Sequence, residues 1–345
     1  MKKLRTAIIG CGSIFTMHVT PVINRGDTEL VGVCDIQKER ADIAAKKYHT
    51  VAFYDYEQML CALKPDIVHV CLPHYLHTVA SRFALKHGVN VLSEKPMSIR
   101  YQDAFDTVLL AKEKNLNYGV IFQCRYNDAS LLVKRTLQSG ELGKIISARS
   151  TLTWCRPDSY YGNSDWKGTW DKEGGGVVID QAIHSIDLVN WFIDSHPVKV
   201  DAHYANRAHG AVAVEDSAEG LITYENGVRY GFWAMNNYGC DEAIEIRLLC
   251  ERGKVVLTYD DAWITFHDGR ELHAHQSEDN LVYENGKDYW GFQHVKQIDD
   301  FYRSVREKRA PEISAEEALK VQKIICAFYE SGKSGKPVVL QKTTD

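Results

Sequence analysis

The chain has 345 residues, 45% hydrophobic and 25% charged, an ordinary soluble composition with length enough for two domains. Its net charge of −5 offers no basic surface for nucleic acid or an anionic membrane, and no apolar run approaches the roughly 18 residues that span a bilayer. Nine cysteines without a C-x-x-C pair argue against a disulfide framework and for a reducing, cytoplasmic location; no metal site is expected.

The chain opens "MKKLRTAIIGCGSIF". Lysines precede an apolar stretch, but that stretch is short, broken by glycine and lacks a convincing cleavage site, so it reads as a first strand. "ELVGVCD", "DIVHVCLP", "VNVLSE" and "NYGVIFQ" follow as further strands, with helical segments such as "TVASRFALKHG" and "AFDTVLLAKEKN" between them. Apolar strands alternating with helices predict a doubly wound parallel sheet over residues 1–122. After Gln123 the rhythm changes. One helix is predicted over "ASLLVKRTLQSG", then longer alternating strands: "KIISARSTLTW", "SAEGLITY", "VRYGFWAMN", "AIEIRLLC" and "KVVLTY". The Asn-Gly of "YENGV" and the turn in "CERGK" are hairpin signals. Helices over "YWGFQHVKQIDDFYRSVREK" and "SAEEALKVQKIICAFYESG" close the chain, the second opening on a capping box, Ser314 and Glu317. Residues 123–345 are thus expected to form an α+β domain, an open and largely antiparallel sheet flanked by helices.

Chemistry is legible at three places. Gly10 and Gly12 directly follow the first strand, where a backbone without side chains lets a pyrophosphate approach the amides of the next helix. The third glycine of G-x-G-x-x-G is Phe15 here. Asp35 ends the second strand, where a carboxylate accepts hydrogen bonds from a ribose 2′-hydroxyl and repels a 2′-phosphate. NAD is therefore favoured over NADP, although Lys38 and Arg40 stand close behind. Second, Glu94-Lys95-Pro96 follows the fifth strand at its carboxyl end, the ligand edge of such a sheet; Lys95 can stabilise developing alkoxide charge or be a solvent lysine. Third, "GGGVVIDQAIHSIDLVNWFI" carries Asp180, His184 and Asp187 at i, i+4 and i+7 of an otherwise apolar helix. Ile179, Ile183, Ile186 and Val189 would line an adjacent buried face, leaving Asp180 and His184 presented together. A histidine can take the proton of an alcohol as hydride leaves the same carbon; Asp187 is read as a structural partner.

Together these motifs resemble the glucose–fructose oxidoreductase / inositol dehydrogenase / MocA family over essentially the whole chain. The matching segments are "GCGSIFTMH" with His18, "LPHYLH" with Pro73 and His77, Glu94-Lys95-Pro96, Arg125 in "FQCRYN", "WDKEGGG" from Trp170, and Asp180 to His184. The resemblance implies an NAD site made by Gly10, Gly12, Ser13, Ile14, Asp35, Arg40, Pro73, His77, Glu94, Lys95 and Gln123. It implies a catalytic group of Lys95, Asp180 and His184, with His184 as the base and Lys95 as the rival for that role. Arg125, Trp154, Arg156, Tyr161 and Trp166 would join these three in holding the substrate, the last four from a loop that also carries Tyr160 and Lys167. The implied reaction is reversible hydride transfer between NAD and a carbinol carbon of a sugar, glycoside or cyclitol such as inositol. "WKG" at Trp166 resembles nucleotide-sugar 3-dehydrogenases, but no basic cluster for a diphosphate accompanies it, so a neutral substrate is favoured. The alternatives are an NAD-dependent glycosidase of the same family, working by transient oxidation and elimination, and a non-enzymatic dinucleotide sensor. The outer surface of the second domain's sheet is expected to form a homodimer or homotetramer.

Overall fold

The structure, a computed structural model, describes residues 2–162, 164–210, 212–258, 261–275 and 293–341. The first apolar run forms β1 (Leu4–Ile9), whose last four residues are buried, and helix α1 follows over Phe15–Asn24. The alternation continues through β2 (Thr28–Cys34), α2 (Lys38–Tyr48), β3 (Ala52–Phe53), α3 (Tyr56–Leu63), β4 (Ile67–Val70), α4 (His77–Lys86), β5 (Asn90–Ser93), α5 (Tyr101–Lys114) and β6 (Tyr118–Val120). These strands make a six-stranded parallel sheet in the order β3-β2-β1-β4-β5-β6, the doubly wound topology expected. The order reverses between β1 and β4, so the carboxyl ends of those strands flank the crevice in which such sheets bind ligands.

The second sheet is built from β7 (Ile145–Thr153), β8 (Pro197–Ala205), β9 (Ser217–Tyr224), β10 (Arg229–Met235), β11 (Glu245–Cys250), β12 (Gly253–Leu257), β13 (Asp261–Phe266), β14 (Glu271–His275) and β15 (Val338–Val339). Its order is β14-β13-β12-β11-β7-β10-β9-β8-β15, antiparallel throughout except that β10 runs parallel to β7. The Asn-Gly signal is the β9–β10 hairpin, with Gly227 at φ +87°. Before β7 comes α6 (Asp128–Gln138), and after it the short α7 (Asp158–Gly162) and α8 (Ile183–Ile193), which packs on α6 and β7. Among the described residues no helix is long and apolar enough to cross a membrane.

The chain divides into two units, residues 1–123 with 280–322, and residues 124–279 with 323–345. The second unit is therefore not the continuous stretch 123–345 that a single cut assumes. Helix α9 (His294–Glu307) returns to the first unit because its stripe of Ile298, Phe301 and Tyr302 is buried with Val22, Ile67, Leu92 and Ile121. That cluster is apolar surface taken from water, the main favourable term in packing. The expected start of this helix, at 289–292, lies outside the described residues. Helix α10 (Ala315–Ser334) opens as predicted, the amide of Glu317 donating to Ser314 Oγ at 3.5 Å.

Candidate active site

Gly10 sits at φ +98°, and a Cβ there would lie 2.2 Å from the carbonyl oxygen of Cys71, so only glycine fits between β1 and β4. At Gly12 a Cβ would meet nothing within 4 Å, which leaves the backbone open to close approach by a ligand. Phe15 explains the missing third glycine. It is the first residue of α1, and its ring is buried with Ile8, Val19 and Val33 and edge-packed on Tyr48 at 5.8 Å. The helix starts over a filled core instead of closing onto the strand. Ser13 and Ile14 supply the amides at its N-terminus, and its first turn holds no acidic residue to repel a phosphate.

Asp35 follows β2 and accepts one hydrogen bond on each oxygen, from the amides of Cys11 and Gln37, both at 2.8 Å. Each oxygen keeps a lone pair for a ribose hydroxyl. Lys38 lies over the ring of Tyr54 at 5.2 Å, Arg40 is exposed and Ile36 is 88% exposed. These residues fit the adenosine half of a dinucleotide without a 2′-phosphate.

Pro73 caps a short turn after β4, and Lys95 follows β5, both at the carboxyl edge of the sheet; Gln123 lies buried beyond β6. His77 is fully buried, with its Nδ1 2.7 Å from the carbonyl oxygen of Pro96 and its Nε2 2.6 Å from that of Leu72. Burial pushes its pKa down, opposed by those two carbonyls. The ring braces the loops after β4 and β5 from within. Glu94 is buried likewise. Its Oε1 lies 3.0 Å from His18 Nε2 and 3.0 Å from His294 Nε2, and its Oε2 accepts the Lys95 amide at 3.2 Å. Burial alone would raise its pKa; the two histidines hold it well below the carboxylate range. His18 was legible beside the glycine loop. His69 and His294 were not, because neither stands in a motif.

In the second unit the glycine segment leads into a single π-helical turn, Val178–Ala182, and then α8. Such turns widen the helical step and recur at functional sites. The predicted two-sided helix is not what forms: every residue from Ile183 to Asn190 is buried, polar ones included. Asp180 lies in the π turn. Its Oδ2 accepts the Tyr160 hydroxyl and the Gln181 amide, each at 2.8 Å. Burial and the Asp180 charge push the Tyr160 pKa well up, so the phenol keeps its proton and stays a donor. Lys167 stands 3.4 Å over the Tyr160 ring. Arg156 lies over Trp154 at 4.6 Å and bonds both oxygens of Asp241. Glu173, buried beside this group, has its pKa raised to about 8 by burial and by Asp180. His184 is 7% exposed, four residues on from Asp180.

Two of the residues expected to bind substrate are buried. Arg125 donates from Nε and Nη2 to both oxygens of Asp187, at 2.6–3.2 Å, with the two side chains 4% and 1% exposed. Asp187 is thus the structural partner predicted, and it holds the Arg125 guanidinium in a buried ion pair. Tyr161 is buried against Val212 and Val214, and its oxygen accepts from Asn236 at 2.9 Å. Its neighbour Tyr160 is the tyrosine that reaches Asp180. Trp166 is partly buried, with Lys167 5.7 Å from its ring.

Residues 4–122 match the oxidoreductase family with an NAD-binding Rossmann fold, and residues 130–256 match the GFO/IDH/MocA C-terminal domain. The chain is 27% identical to D-glucoside 3-dehydrogenase of Escherichia coli over 98% of its own length and 97% of that protein's. It is similar to the crystal structure of the WlbA dehydrogenase from Bordetella pertussis in complex with NADH and UDP-GlcNAcA, at 25% identity and TM-score 0.86, covering 99% of this chain and 100% of that one. Levoglucosan dehydrogenase, in complex with NADH and levoglucosan, shares the fold at TM-score 0.88 and 20% identity, over 99% of this chain and 100% of that one. With the glycine loop, Asp35, the Glu94-Lys95-Pro96 segment and the Asp180–His184 helix all in place, the chain belongs to the GFO/IDH/MocA family of NAD-binding oxidoreductases.

Proposed function

We propose that the protein transfers a hydride between NAD and a carbinol carbon of a neutral sugar, with a glycoside the favoured substrate and inositol the next. The observation that carries this reading is Asp180. A carboxylate oriented by the Tyr160 hydroxyl and the Gln181 amide stands four residues before His184, in a chain whose other unit is the NAD-binding fold. When bound, NAD supplies the hydride acceptor. The protein's own groups do the rest. Asp180 accepts a hydrogen bond from a substrate hydroxyl and fixes the ring. His184 takes the hydroxyl proton as the carbon–hydrogen bond breaks, and returns it in the reverse direction. Lys95 stabilises the charge that develops on the oxygen. Gly10, Gly12, Ser13, Ile14 and Asp35 hold the nucleotide, while Pro73, His77 and Glu94 shape the loops beside it. Tyr160 and Trp166, both partly buried, offer aromatic faces to a sugar ring, and Trp154, buried with Arg156 over its ring, backs them. The similarity to a D-glucoside 3-dehydrogenase along nearly the full length of both chains supports a glycoside. So does the pairing of Arg156 with Asp241, which answers the charge that an anionic substrate would need.

The nine cysteines are all free thiols, which supports a cytoplasmic location. The second unit supports self-association. Trp233, Leu249 and Trp263 are 37%, 48% and 43% exposed on one face of its sheet, opposite the buried Phe232, Leu248 and Ile264. A second copy of the chain would cover them.

The test is a panel of glycosides, free sugars and inositols, followed by NADH absorbance and bond cleavage in parallel. Net NADH formation with a glycoside supports the proposal; cleavage without net NADH marks the glycosidase. His184→Ala should lower turnover by roughly 10²–10⁴-fold while NAD binding survives. Near wild-type turnover in that variant would pass the base's role to Lys95.

A further inference from the structure

Six side chains of the first unit form an unbroken buried string. Thr6 Oγ1 meets the Tyr302 hydroxyl at 2.9 Å, that hydroxyl meets His69 Nε2 at 2.9 Å, and His69 Nδ1 meets His18 Nδ1 at 2.9 Å. His18 Nε2 and His294 Nε2 then converge on one oxygen of Glu94. Each member has its hydrogen-bonding capacity set by its neighbour. Burial and the nearby His18 keep His69 neutral, so only one of its ring nitrogens carries a proton. With His18 donating to Glu94 and accepting from His69, Tyr302 must donate to His69 and Thr6 to Tyr302. Every donor then points toward Glu94, whose other oxygen takes the amide proton of Lys95.

From this geometry we infer that His294, together with His18 braced by His69 and Tyr302, positions Lys95 for hydride transfer through Glu94. The inference rests on the reading of Lys95 as a group that acts on the reacting oxygen. Glu94 is the rotor between the histidines and the lysine backbone. Two donors on Oε1 and one on Oε2 leave its carboxylate one orientation, and hydrogen bonds to an ionised acceptor are the stronger kind. Removing the His294 donor lets the carboxylate turn or take up a proton, and the Lys95 amide loses its acceptor. A catalytic group misplaced by about 1 Å costs on the order of 10² in rate. His294 is 200 residues from Glu94 in the chain and reaches it only because α9 packs on the first sheet. The same three atoms, two imidazole nitrogens and a carboxylate oxygen, could in other chemistry ligate a metal ion. Here both nitrogens lie at ordinary hydrogen-bond length from a single oxygen, which is what two N–H donors on one carboxylate produce.

The experiment compares His294→Leu, His294→Gln and Lys95→Ala in the full chain. Four measurements are made: kcat, KM for NAD and for the best sugar, NAD binding by fluorescence titration, and melting temperature. The expected result for His294→Leu is a kcat lowered tenfold or more with both KM values and the NAD dissociation constant changed less than threefold. His294→Gln, which keeps an N–H near the place of Nε2, should recover turnover to within threefold of wild type at an unchanged NAD dissociation constant. A His294→Leu enzyme that binds NAD and turns over like wild type, while Lys95→Ala is slow, overturns the positioning role and leaves the reading of Lys95 intact. A Lys95→Ala enzyme with near wild-type kcat overturns that reading itself. Equal losses in His294→Leu and His294→Gln, with melting temperatures lowered together, reduce His294 to a packing residue. Metal analysis of the purified protein is the last arm, and a stoichiometric divalent ion lost in His294→Leu would replace the inference with a metal site.

Discussion

Asp187→Leu should unfold the second unit early without touching the chemistry. The carboxylate it removes accepts three hydrogen bonds from Arg125, at 2.6, 2.9 and 3.2 Å, and both side chains are all but excluded from water. Deleting one partner of a buried ion pair costs about 3–5 kcal/mol, because the other charge stays desolvated. The ring of Trp191, 5.4 Å from the Arg125 guanidinium, makes a cation–π contact that is weaker than the ion pair lost. For a unit of this size, about 2–4 °C of melting temperature per kcal/mol gives a fall of roughly 6–20 °C. The double variant Arg125→Met, Asp187→Leu replaces the pair by apolar side chains of similar volume and should regain at least half of the loss. The assay is denaturant and thermal unfolding of all four members of the cycle, with KM for the best sugar measured on each. The reasoning fails if Asp187→Leu stays within about 1 kcal/mol of wild type. It fails equally if Arg125→Met leaves stability unchanged and raises KM tenfold, for then Arg125 serves the substrate as its motif suggested.

Asp35→Ser combined with Ile36→Arg should move preference from NAD toward NADP, measured as the ratio of the two kcat/KM values; a wild type already favouring NADP would show that Asp35 does not meet the ribose. Tyr160→Phe should lower kcat about tenfold or more by removing a donor from a charged acceptor, whereas Tyr161→Ala should cost about 3–5 kcal/mol of stability. A Tyr161→Ala protein of normal stability with a raised sugar KM would restore the expectation drawn from sequence. Glu173 makes stability depend on pH. Its pKa is about 8 folded against 4.5 for the free carboxyl, so the folded state binds the extra proton and stability falls as pH rises from about 4.5 through 8. Unfolding curves across that range should flatten in Glu173→Gln by up to about 1.4 kcal/mol per pH unit, and an unchanged slope would place the titration elsewhere.

What the sequence determined by itself was whatever depends on neighbours in the chain. A glycine at 10 and a carboxylate at 35 each follow a strand directly, and strand ends are local, so the glycine turn and the placement of Asp35 were readable. The helix after Gly176 and the lysine after β5 were readable for the same reason. The alternation of the longer strands announced the second sheet, but not that β7 and β10 would run parallel, since pairing direction depends on the path between strands. The tertiary structure decided which side chains meet. Arg125 and Asp187 are 62 residues apart, and nothing in either segment says that the arginine is spent inside the core. Tyr160 and Tyr161 are adjacent in a loop without periodicity, so only the packing of Tyr161 on Val212 and Val214 shows which of them is left for Asp180. The segment of α9 was legible as a helix, yet a helix does not name the surface that its apolar stripe will cover. That α9 turns back to the first sheet, and so carries His294 to Glu94, is a choice among long-range apolar contacts that no local pattern encodes.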